Sequence, residues 1–346
     1  MNDTTNIIVD CDAGIDDALA LFLLLIAHKH ERLHIEAVTC VFGNTVVKNV
    51  VNNVYRVLEL FEDYDIPVHR GAHSPLNSNK YSPGEHECYH GVDGFGDVYT
   101  NEPDTSKMQT THAAYALNKY ITDKPGLVSL VCLGPLTNIA LAIKLYPDFA
   151  CSLKNLFVMG GNSTGLGNVT SQAEFNFFCD PESASIVFNN VCKPIYLLPW
   201  ETCLKSRITY DWRKNILGTI DSSFVQMLNK TEDGCECRRK GKSPPYYVMC
   251  DAILAGIILR PEMARNIFTR FVDVELHGTK TRGQVVIDHL KKQEINVHLI
   301  DDFDSEIFKE LLLFAVNPRE DKSVLFPQSP EETSSENLVK DECKEL

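Results

Sequence analysis

Four aspartates fall within eight positions near the beginning of the chain, in the segment Asp10-Cys11-Asp12-Ala13-Gly14-Ile15-Asp16-Asp17. Carboxylates this close repel one another, and in a buried site protons or a cation must offset their charge. A cluster of oxygen ligands favours a hard cation such as Ca2+ or Mg2+. One or two acids here would only cap a helix, but four acids beside an apolar strand favour a metal site.

Two other kinds of acidic motif fit this segment less well. The loop of an EF-hand needs Gly at its sixth position and Glu at its twelfth, where this segment has Ile15 and Leu21. A phosphatase of the haloacid-dehalogenase kind would use Asp10 as its nucleophile, but it usually has Thr or Val four residues later, where this chain has Gly14. A phosphohydrolase therefore ranks far below a metal site.

The surrounding elements predict how these acids are presented. The apolar residues 7–9 predict a buried strand, and 18–27 predict a helix that is apolar on nearly every face. Because side chains alternate along a strand, Asp10 and Asp12 are expected on one side, and Gly14 is expected to turn the chain. The two acids that follow fall at a helix start, where the helix dipole favours negative charge.

Strands and helices alternate along the chain, which predicts a parallel sheet covered by helices. The predicted strands are 7–9, 34–41, 66–69, 127–133, 156–161 and 193–201, and the predicted helices are 18–27, 46–61, 110–122, one opening within 246–255, and 304–316. The segment 269–300 alternates like edge strands or a hairpin. The expected fold class is α/β, a Rossmann-like, mostly parallel central sheet flanked by helices. It forms a single domain over 1–326, followed by a disordered acidic tail at 327–346.

The composition excludes several classes of partner. The formal net charge is −14 over 346 residues and no block of Lys or Arg stands out, which argues against a nucleic acid or a membrane surface as the main partner. No apolar run reaches the length of a transmembrane helix. Twelve cysteines suggest disulfides, but no signal peptide precedes the first strand and several cysteines lie in apolar strands. A reduced, cytoplasmic chain is expected.

Two motifs give the chain a specific resemblance. The pattern Asp-x-Asp-x-Gly-x-Asp-Asp-Ala runs from Asp10 to Ala18, and an Asn followed by Glu-x-Asn stands at Asn168, Glu174 and Asn176. In these motifs, and in order along roughly residues 1–320, the chain resembles the nucleoside hydrolases, the inosine-uridine-preferring family of N-ribohydrolases. The resemblance implies calcium-dependent hydrolysis of the N-glycosidic bond of ribonucleosides, which gives ribose and a free purine or pyrimidine base.

The resemblance also implies roles for individual residues. The ligands expected for Ca2+ are Asp12, Asp17, the backbone carbonyl of Leu133, and Asp251. Asp12 would in addition take a proton from water as the general base. The residues expected to bind ribose are Asp16, Asn44, Asn168, Glu174 and Asn176.

Other parts of the chain receive supporting roles. Met159 is expected to line the pocket, and Asp10 to orient the other acids. Asn44, which follows the second strand, could equally cap the next helix. The polar segment 203–243 is expected to be a mobile flap over the base. Members of the family are usually homodimers or homotetramers, so the same is expected here.

The sequence does not decide which residue protonates the leaving base. Many members have His immediately before the last metal-binding Asp, whereas this chain has Cys250. A thiol has an unperturbed pKa of about 8.5, so Cys250 is a candidate for this acid, and packing is an equally good role for it. His90, in a glycine-rich loop, is a possible catalytic residue, because the resemblance implies a His at the pocket mouth that can face the base or the 5′ end; an ordinary surface position is the alternative. The missing His also motivates an alternative function, a non-catalytic protein that binds a metal and a nucleoside on the same fold.

Overall fold

The structure is a computed structural model, and it describes residues 5–61, 65–77, 89–239, 244–317 and 324–325, without the side chains of 236–239. The strands are β1 (Thr5–Cys11), β2 (Leu33–Cys40), β3 (Val68–Arg70), β4 (Val128–Cys132), β5 (Leu156–Met159), β6 (Ile195–Leu198), β7 (Ala264–Arg270), β8 (Val272–Val274), β9 (Val285–Ile287) and β10 (Val297–Phe303). The helices are α1 (Ile15–Lys29), α2 (Val47–Glu59), α3 (Ala113–Asp123), α4 (Thr137–Leu145), α5 (Phe149–Ser152), α6 (Phe175–Cys179), α7 (Pro181–Phe188), α8 (Trp200–Cys203), α9 (Tyr210–Asn215), α10 (Ser223–Arg239), α11 (Cys250–Leu259) and α12 (Ser305–Val316). Each predicted strand and helix has its counterpart among these elements.

Eight of the strands form one sheet in the order β3-β2-β1-β4-β5-β6-β10-β7. Neighbouring strands are parallel, except that β7 runs antiparallel to β10 at one edge. The predicted α/β class with a mostly parallel central sheet is therefore confirmed. Because parallel strands end on the same side, the segments that follow β1, β2, β4, β5 and β6 meet along one border of the sheet, where ligands gather in such folds.

Both faces of the sheet are covered, which explains why β1 is apolar without alternation. Ile7 and Val9 lie in a buried cluster with α1, α2, α10, α11 and α12, whereas Ile8 lies in a second cluster with α3, α4 and α7. Parallel neighbours flank β1 on both sides. Its carboxyl end therefore delivers Asp12 to the interior of the border.

Helix α1 is apolar on nearly every face because other helices surround it. Phe22 stacks on Phe224 of α10, with the ring centroids 3.7 Å apart. Phe224, Val225 and Leu228 are all buried. The expectation of a mobile flap is therefore wrong for this part of 203–243, because one apolar face of α10 belongs to the core. Residues 240–243 lie outside the described part of the chain.

The segment 269–300, predicted to form edge strands or a hairpin, contains the hairpin, whereas most of the edge strand β7 lies before it and β10 begins at its end. Strand β7 forms the edge of the large sheet, and β8 and β9 pair as a separate antiparallel hairpin. Within the described residues, no helix combines the length and the apolar character needed to cross a membrane. The single domain over 1–326 stays a prediction, and the predicted tail, 327–346, lies outside the described residues.

One pair of cysteines differs from the expected reduced state. Cys151 and Cys192 form a disulfide, with their Cα atoms 5.1 Å apart. Cys11, Cys40 and Cys132 are free and buried in strands, as their apolar surroundings predict. The disulfide could not be predicted in the same way, because its two members are 41 positions apart and lie outside the apolar strands.

Candidate active site

The carboxylate of Asp12 lies just after β1 and is enclosed by main chain. Its Oδ2 accepts a hydrogen bond from the backbone N–H of Asn44 at 2.7 Å. A Cβ atom at Gly43 would lie 2.1 Å from Oδ2, and one at Gly134 would lie 2.9 Å from Oδ1. The carboxylate therefore fills the space that side chains at 43 and 134 would need, and glycine is required on either side of it.

Asp17 ties the first helix to the loop that precedes it. Its two carboxylate oxygens accept hydrogen bonds from the backbone N–H groups of Asp12 and Gly14, at 3.2 and 2.9 Å. As the third residue of α1, Asp17 satisfies N–H groups that no helical carbonyl can reach. The predicted position of two acids in the first turn of this helix is confirmed.

Three acids come close enough to share a cation. Asp16, Asp17 and Asp251 each offer a carboxylate oxygen, and these oxygens lie within 4.8 Å of one another. Asp251 reaches this place because it is in the first turn of α11, which packs along α1. Asp12 adjoins the three through its contact with Asp17. We call these four residues the acidic corner; it contains three of the predicted metal ligands and Asp16, which was predicted to bind ribose.

The acidic corner is buried without enough donors to offset its charge. Oδ1 of Asp12 and Oδ1 of Asp251 accept no hydrogen bond from any described residue. Burial raises the pKa of both groups well above the usual range, and the charges of neighbouring acids raise it further. Burial, and after it the charge of Asp16, raises the pKa of Asp17 to about 7. Since buried carboxylates that face one another need protons or a cation, these residues fit a hard divalent cation.

The turn between β1 and α1 differs from the expected one. Gly14 has φ −76°, which any residue adopts, and the residue with positive φ is Ala13, at 40°. Gly14 instead leaves space, because a Cβ atom there would lie 2.6 Å from Nδ2 of Asn44 and 3.1 Å from the ring of His90, so these side chains would have to move. The expectation that the turn uses the conformational freedom of Gly14 is thus wrong. The missing side chain at Gly14 lets Asn44 and His90 approach the backbone.

Asn44 contacts the acids and does not cap a helix. The N-cap residue of α2 is Val46, so the predicted capping role is wrong. The side-chain Nδ2 of Asn44 donates to Oδ2 of Asp17 at 3.2 Å, in addition to the backbone contact with Asp12. Both contacts hold the amide at the acidic corner. Its contact with ribose stays a prediction.

His90 lies against the first turn of α1. Its Nδ1 accepts a hydrogen bond from the backbone N–H of Ile15 at 3.2 Å, and its Nε2 lies 3.4 Å from Oδ1 of Asp16. With Nδ1 as the acceptor, the proton of a neutral ring is on Nε2, the nitrogen near Asp16. The structure therefore brings His90 to the acidic corner, while its catalytic role stays a prediction.

The backbone carbonyl of Leu133, a predicted metal ligand, accepts a hydrogen bond from a side chain. Nδ2 of Asn176 donates to this carbonyl at 2.7 Å and also lies 3.2 Å from the carbonyl oxygen of Met159. Leu133 follows β4 and Met159 ends β5, so Asn176 bridges two neighbouring strand ends. A carbonyl oxygen has a second lone pair, so Leu133 can still act as a ligand beside this contact.

Glu174 is a buried acid that meets several donors. Its carboxylate accepts hydrogen bonds from the backbone N–H groups of Gly161, Asn176 and Phe177, at 2.8, 3.0 and 3.3 Å. These contacts cap α6 and hold the glycine turn that follows β5. Burial raises the pKa of Glu174 to about 7, although the three donors lower it. The structure therefore gives Glu174 a capping role beside its predicted contact with sugar.

Asp10 is bonded to neutral groups and not to other acids. Its Oδ2 accepts hydrogen bonds from the Thr39 hydroxyl at 2.6 Å and from Nδ2 of Asn138 at 2.8 Å. Asn138 in turn accepts the N–H of Ala72 at 2.8 Å, so Asp10 supports the segment that follows β3. Burial raises the pKa of Asp10 to about 7. No hydrogen bond among the described residues joins Asp10 to the acidic corner, and its role in orienting those acids stays a prediction.

Cys250 is the first residue of α11 and is buried against Cys203 of α8. The hydrogen bond between the two thiols raises the pKa of Cys250, and burial raises it further. The thiol therefore keeps its proton at neutral pH, but a raised pKa also makes the proton harder to donate. Both roles predicted for Cys250, leaving-group acid and packing, agree with this position.

Asn162 is a part of the site that the sequence did not point out. It is fully buried, donates to the carbonyl of Gln172 at 2.7 Å and accepts the N–H of Val285 at 3.0 Å. It thereby fixes the base of the loop that carries Asn168, which is exposed. The available signal was a polar residue directly after a strand and two glycines, and ordinary turns have the same pattern.

Comparisons with known proteins agree with this geometry. A family model described as inosine-uridine preferring nucleoside hydrolase matches residues 7–310. The chain is 38% identical over 184 residues to probable uridine nucleosidase 1 of Oryza sativa subsp. japonica, a match that covers 53% of this chain and only 55% of the rice protein. It is 32% identical over 312 residues to the pyrimidine-specific ribonucleoside hydrolase RihA of Enterobacter sp. (strain 638), covering 88% of this chain and 96% of that protein.

A solved structure gives the same answer for the fold. An inosine-guanosine nucleoside hydrolase superposes with a TM-score of 0.80 at 30% identity, covering 90% of this chain and 98% of that one. The residues matched by the family model, 7–310, include the four members of the acidic corner. The chain therefore belongs to the nucleoside hydrolases, a family of glycosidase-type hydrolases.

Proposed function

We propose that this chain hydrolyses the N-glycosidic bond of ribonucleosides and releases ribose and a free purine or pyrimidine base. The observation that carries the proposal is the acidic corner on the fold of this family: its acids face one another, and three of them have an oxygen that accepts no hydrogen bond from the described residues. Such an arrangement serves a cation and a reacting water better than it serves stability.

We propose Ca2+ as the cation of the acidic corner. Its ligands would be carboxylate oxygens of Asp12, Asp17 and Asp251 and the carbonyl oxygen of Leu133, and Asp16 is close enough to add another. Ca2+ accepts six to eight oxygen ligands in flexible geometry, so a crowded set of acids suits it better than Mg2+. When bound, the cation would offset the charge of the acids and lower the pKa of nearby water.

Asp12 is the general base in this proposal. The N–H of Asn44 occupies its Oδ2, so Oδ1, which meets no donor among the described residues, is the oxygen that can accept a proton from water. The backbone at Gly43 and Gly134 holds the carboxylate in place during that transfer. A base held rigidly at hydrogen-bonding distance is what proton abstraction requires.

The sugar would be bound along the same border of the sheet. Asp16 and Asn44 lie at the acidic corner and would hold the 2′ and 3′ hydroxyls, while Asn168, Glu174 and Asn176 would hold the rest of the ribose. Carboxylates and amides together offer both acceptors and donors, as hydroxyl groups need. Positive charge develops on the ribose as the base leaves, and the nearby carboxylates stabilise it.

We propose a purine or pyrimidine base as the released product, without choosing between the two classes. The two sequence relatives carry names that refer to uridine or pyrimidine nucleosides, whereas the solved structure is named for inosine and guanosine. Both classes therefore belong in the assay. A homodimer or homotetramer and a cytoplasmic location also stay predictions.

The test is release of reducing sugar from uridine, cytidine, inosine and guanosine by the purified chain. We expect activity with Ca2+, loss of activity after treatment with EDTA, and recovery when Ca2+ is added back. Mg2+ added in place of Ca2+ should restore less activity. If no ribonucleoside is cleaved while Ca2+ binding is demonstrated by calorimetry, the proposal is overturned.

A second candidate is a nucleoside-binding protein without catalysis. It is favoured by Cys250, because hydrogen bonding to Cys203 and burial raise the pKa of its thiol and so weaken it as an acid. In that case uridine or inosine should raise the melting temperature in the presence of Ca2+ while no ribose accumulates over hours. Ribose release at a rate proportional to the protein concentration would exclude this candidate.

A further inference from the structure

Glu201 is a half-buried acid in the first turn of α8, directly after β6. Its carboxylate accepts hydrogen bonds from the backbone N–H groups of Ser163, Thr164 and Leu166, at 2.9, 2.7 and 3.2 Å. The hydroxyl of Thr164 adds a fourth, at 2.8 Å. One side chain from β6–α8 thus binds the tip of a loop that lies between β5 and α6.

Within the described part of the chain, the other hydrogen bonds of this loop lie at its base and beyond its tip, although Gly165 at the tip is buried beside Gln172 and Gln284. Asn162 holds its base, and the backbone N–H of Asn168 bonds to the carbonyl of Ala173. Thr164, Leu166 and Asn168 are exposed. Backbone N–H groups at such a tip would bond to water and fluctuate, and bonds to an ionised acceptor are roughly twice as strong as neutral ones. Among the described residues, Glu201 is therefore the side chain that accepts the backbone N–H groups of Ser163, Thr164 and Leu166.

The loop also carries a predicted sugar ligand, Asn168, two residues beyond Leu166. Its backbone bond to Ala173 puts it next to Glu174, the second member of the same motif. Glu201 is close enough to Glu174 for its charge to raise the pKa of that acid. The three residues therefore lie near one another. In the proposed function, Asn168 and Glu174 bind the part of the ribose that is left after the 2′ and 3′ hydroxyls, which includes the 5′ hydroxyl.

We propose that Glu201 is a positioning residue that holds the loop 163–166 so that Asn168 meets the 5′ end of the ribose. The inference rests on the proposed function, since it assumes that a ribonucleoside binds at this border. It assigns no chemical step to Glu201. The carboxylate acts through the loop, and its removal should change how the 5′ end is bound and leave the acidic corner intact.

The first test measures the loop without any activity. In Glu201→Ala, amide hydrogen exchange at 163, 164 and 166 should become at least about tenfold faster, because those N–H groups lose their acceptor. The matched control is Asp288→Ala. Asp288 likewise accepts backbone N–H groups of a loop, those of Leu290, Lys292 and Gln293, but this loop precedes β10 at the opposite border of the sheet. Exchange at 163–166 should not change in the control, and unchanged exchange in Glu201→Ala would overturn the proposal.

The second test asks whether Glu201 acts through Asn168. For uridine, Glu201→Ala should lower kcat/KM by roughly tenfold to 100-fold, mainly through KM, and Asn168→Ala should lower it at least as much. The double variant should have about the same kcat/KM as Asn168→Ala alone. With 5′-deoxyuridine, which lacks the 5′ hydroxyl, the kcat/KM of every variant should approach that of the wild type. Glu201→Gln, which keeps one acceptor oxygen, should fall between the wild type and Glu201→Ala.

The outcomes separate this inference from the proposed function. If the effects of Glu201→Ala and Asn168→Ala simply multiply, or if 5′-deoxyuridine is affected as strongly as uridine, Glu201 does not position Asn168. If the wild-type chain cleaves no ribonucleoside, the proposed function fails. The same variants are then compared by the Kd of uridine, measured by calorimetry with Ca2+ present. A Kd that Glu201→Ala leaves unchanged would overturn the inference on its own.

Discussion

Two groups of buried acids lie along the same border of the sheet and differ in what they bind. In the acidic corner, Asp12 and Asp251 each keep an oxygen that accepts no hydrogen bond from the described residues. In the second group, which we call the capping acids, Glu174 accepts three backbone N–H groups. Asp180, its other member, accepts the Thr137 hydroxyl and the N–H groups of Leu76 and Ser183.

Burial does not distinguish the two groups, because it raises the pKa of Asp180 and Glu174 as well as that of Asp12. The difference lies in the donors, and it holds for Asp12 and Asp251, since Asp17 accepts three hydrogen bonds although it belongs to the acidic corner. An acid whose oxygens meet N–H and O–H groups joins elements of the fold, and its loss costs stability. An acid that faces other acids destabilises the fold until a cation binds, so its loss should cost activity and not stability.

The largest effect that this comparison predicts is on activity. Asp12→Asn should lower kcat by at least about 1,000-fold, because an amide cannot accept the proton from water. Its melting temperature in EDTA should equal or exceed that of the wild type, since the substitution removes a buried acid that must otherwise take up a proton when no cation is bound. Ribose release and thermal unfolding measure the two quantities.

The matched control for Asp12→Asn is Asp180→Asn, an equally conservative change in a capping acid. It should keep near-normal kcat per folded molecule and lose roughly 1–3 kcal/mol of unfolding free energy, because a buried N–H or O–H donor loses its acceptor. If both variants lose stability equally, the distinction between the two groups is wrong.

A pH dependence of stability tests the same distinction with the wild-type chain. The pKa of Asp17 rises from 3.8 to about 7 on folding, so between these values the native state binds more protons than the unfolded state. In EDTA the free energy of unfolding should therefore fall as the pH rises from about 4 to 7, by roughly 2–4 kcal/mol. A bound cation replaces these protons, so saturating Ca2+ should flatten or reverse the fall. Urea unfolding at several pH values measures it, and an identical slope with and without Ca2+ would contradict the metal site.

The smallest predicted effect concerns Cys250. If its thiol protonates the leaving base, Cys250→Ala should lower the rate of inosine hydrolysis by roughly 10- to 100-fold. An aryl riboside with an activated leaving group needs no acid, so the rate of its hydrolysis should fall much less. Cys203→Ala, which removes the neighbouring thiol and keeps Cys250, is the control for packing. Equal slowing of both substrates by Cys250→Ala would leave only the packing role.

Much of the fold could be predicted because fully buried strands and helices appear in the sequence as continuous apolar runs. Residues 7–9 and 18–27 are apolar without a polar face, and the structure buries them on all sides. The pattern was less clear for α10, because its buried residues Phe224 and Leu228 stand in a segment that is polar overall, and 203–243 was therefore predicted to be a mobile flap. The disulfide between Cys151 and Cys192 depends on a long-range approach of two chain segments, and no local pattern reports it.

The sequence allowed us to predict which residues form the site, but not which hydrogen bonds they make. The spacing of Asp12, Asp16 and Asp17 gave the acidic cluster, but nothing local indicates which oxygens find donors. The contact of Asn44 with Asp17 and that of Asn176 with the carbonyl of Leu133 arise from neighbouring strand ends that are distant in sequence. The reason for Gly14 was also hidden, since the space it leaves is filled by side chains from two other segments.

The glycines at 43 and 134 limit how this site can change during evolution. Backbone on both sides of Asp12 forms the walls, so no exchange of side chains there can widen or reshape the space around the reacting water. A saturation library should tolerate only glycine at these two codons, whatever nucleoside is used for selection. New substrate preferences must then arise from exposed segments such as 163–168, which adjoin the ligand without supporting its chemistry.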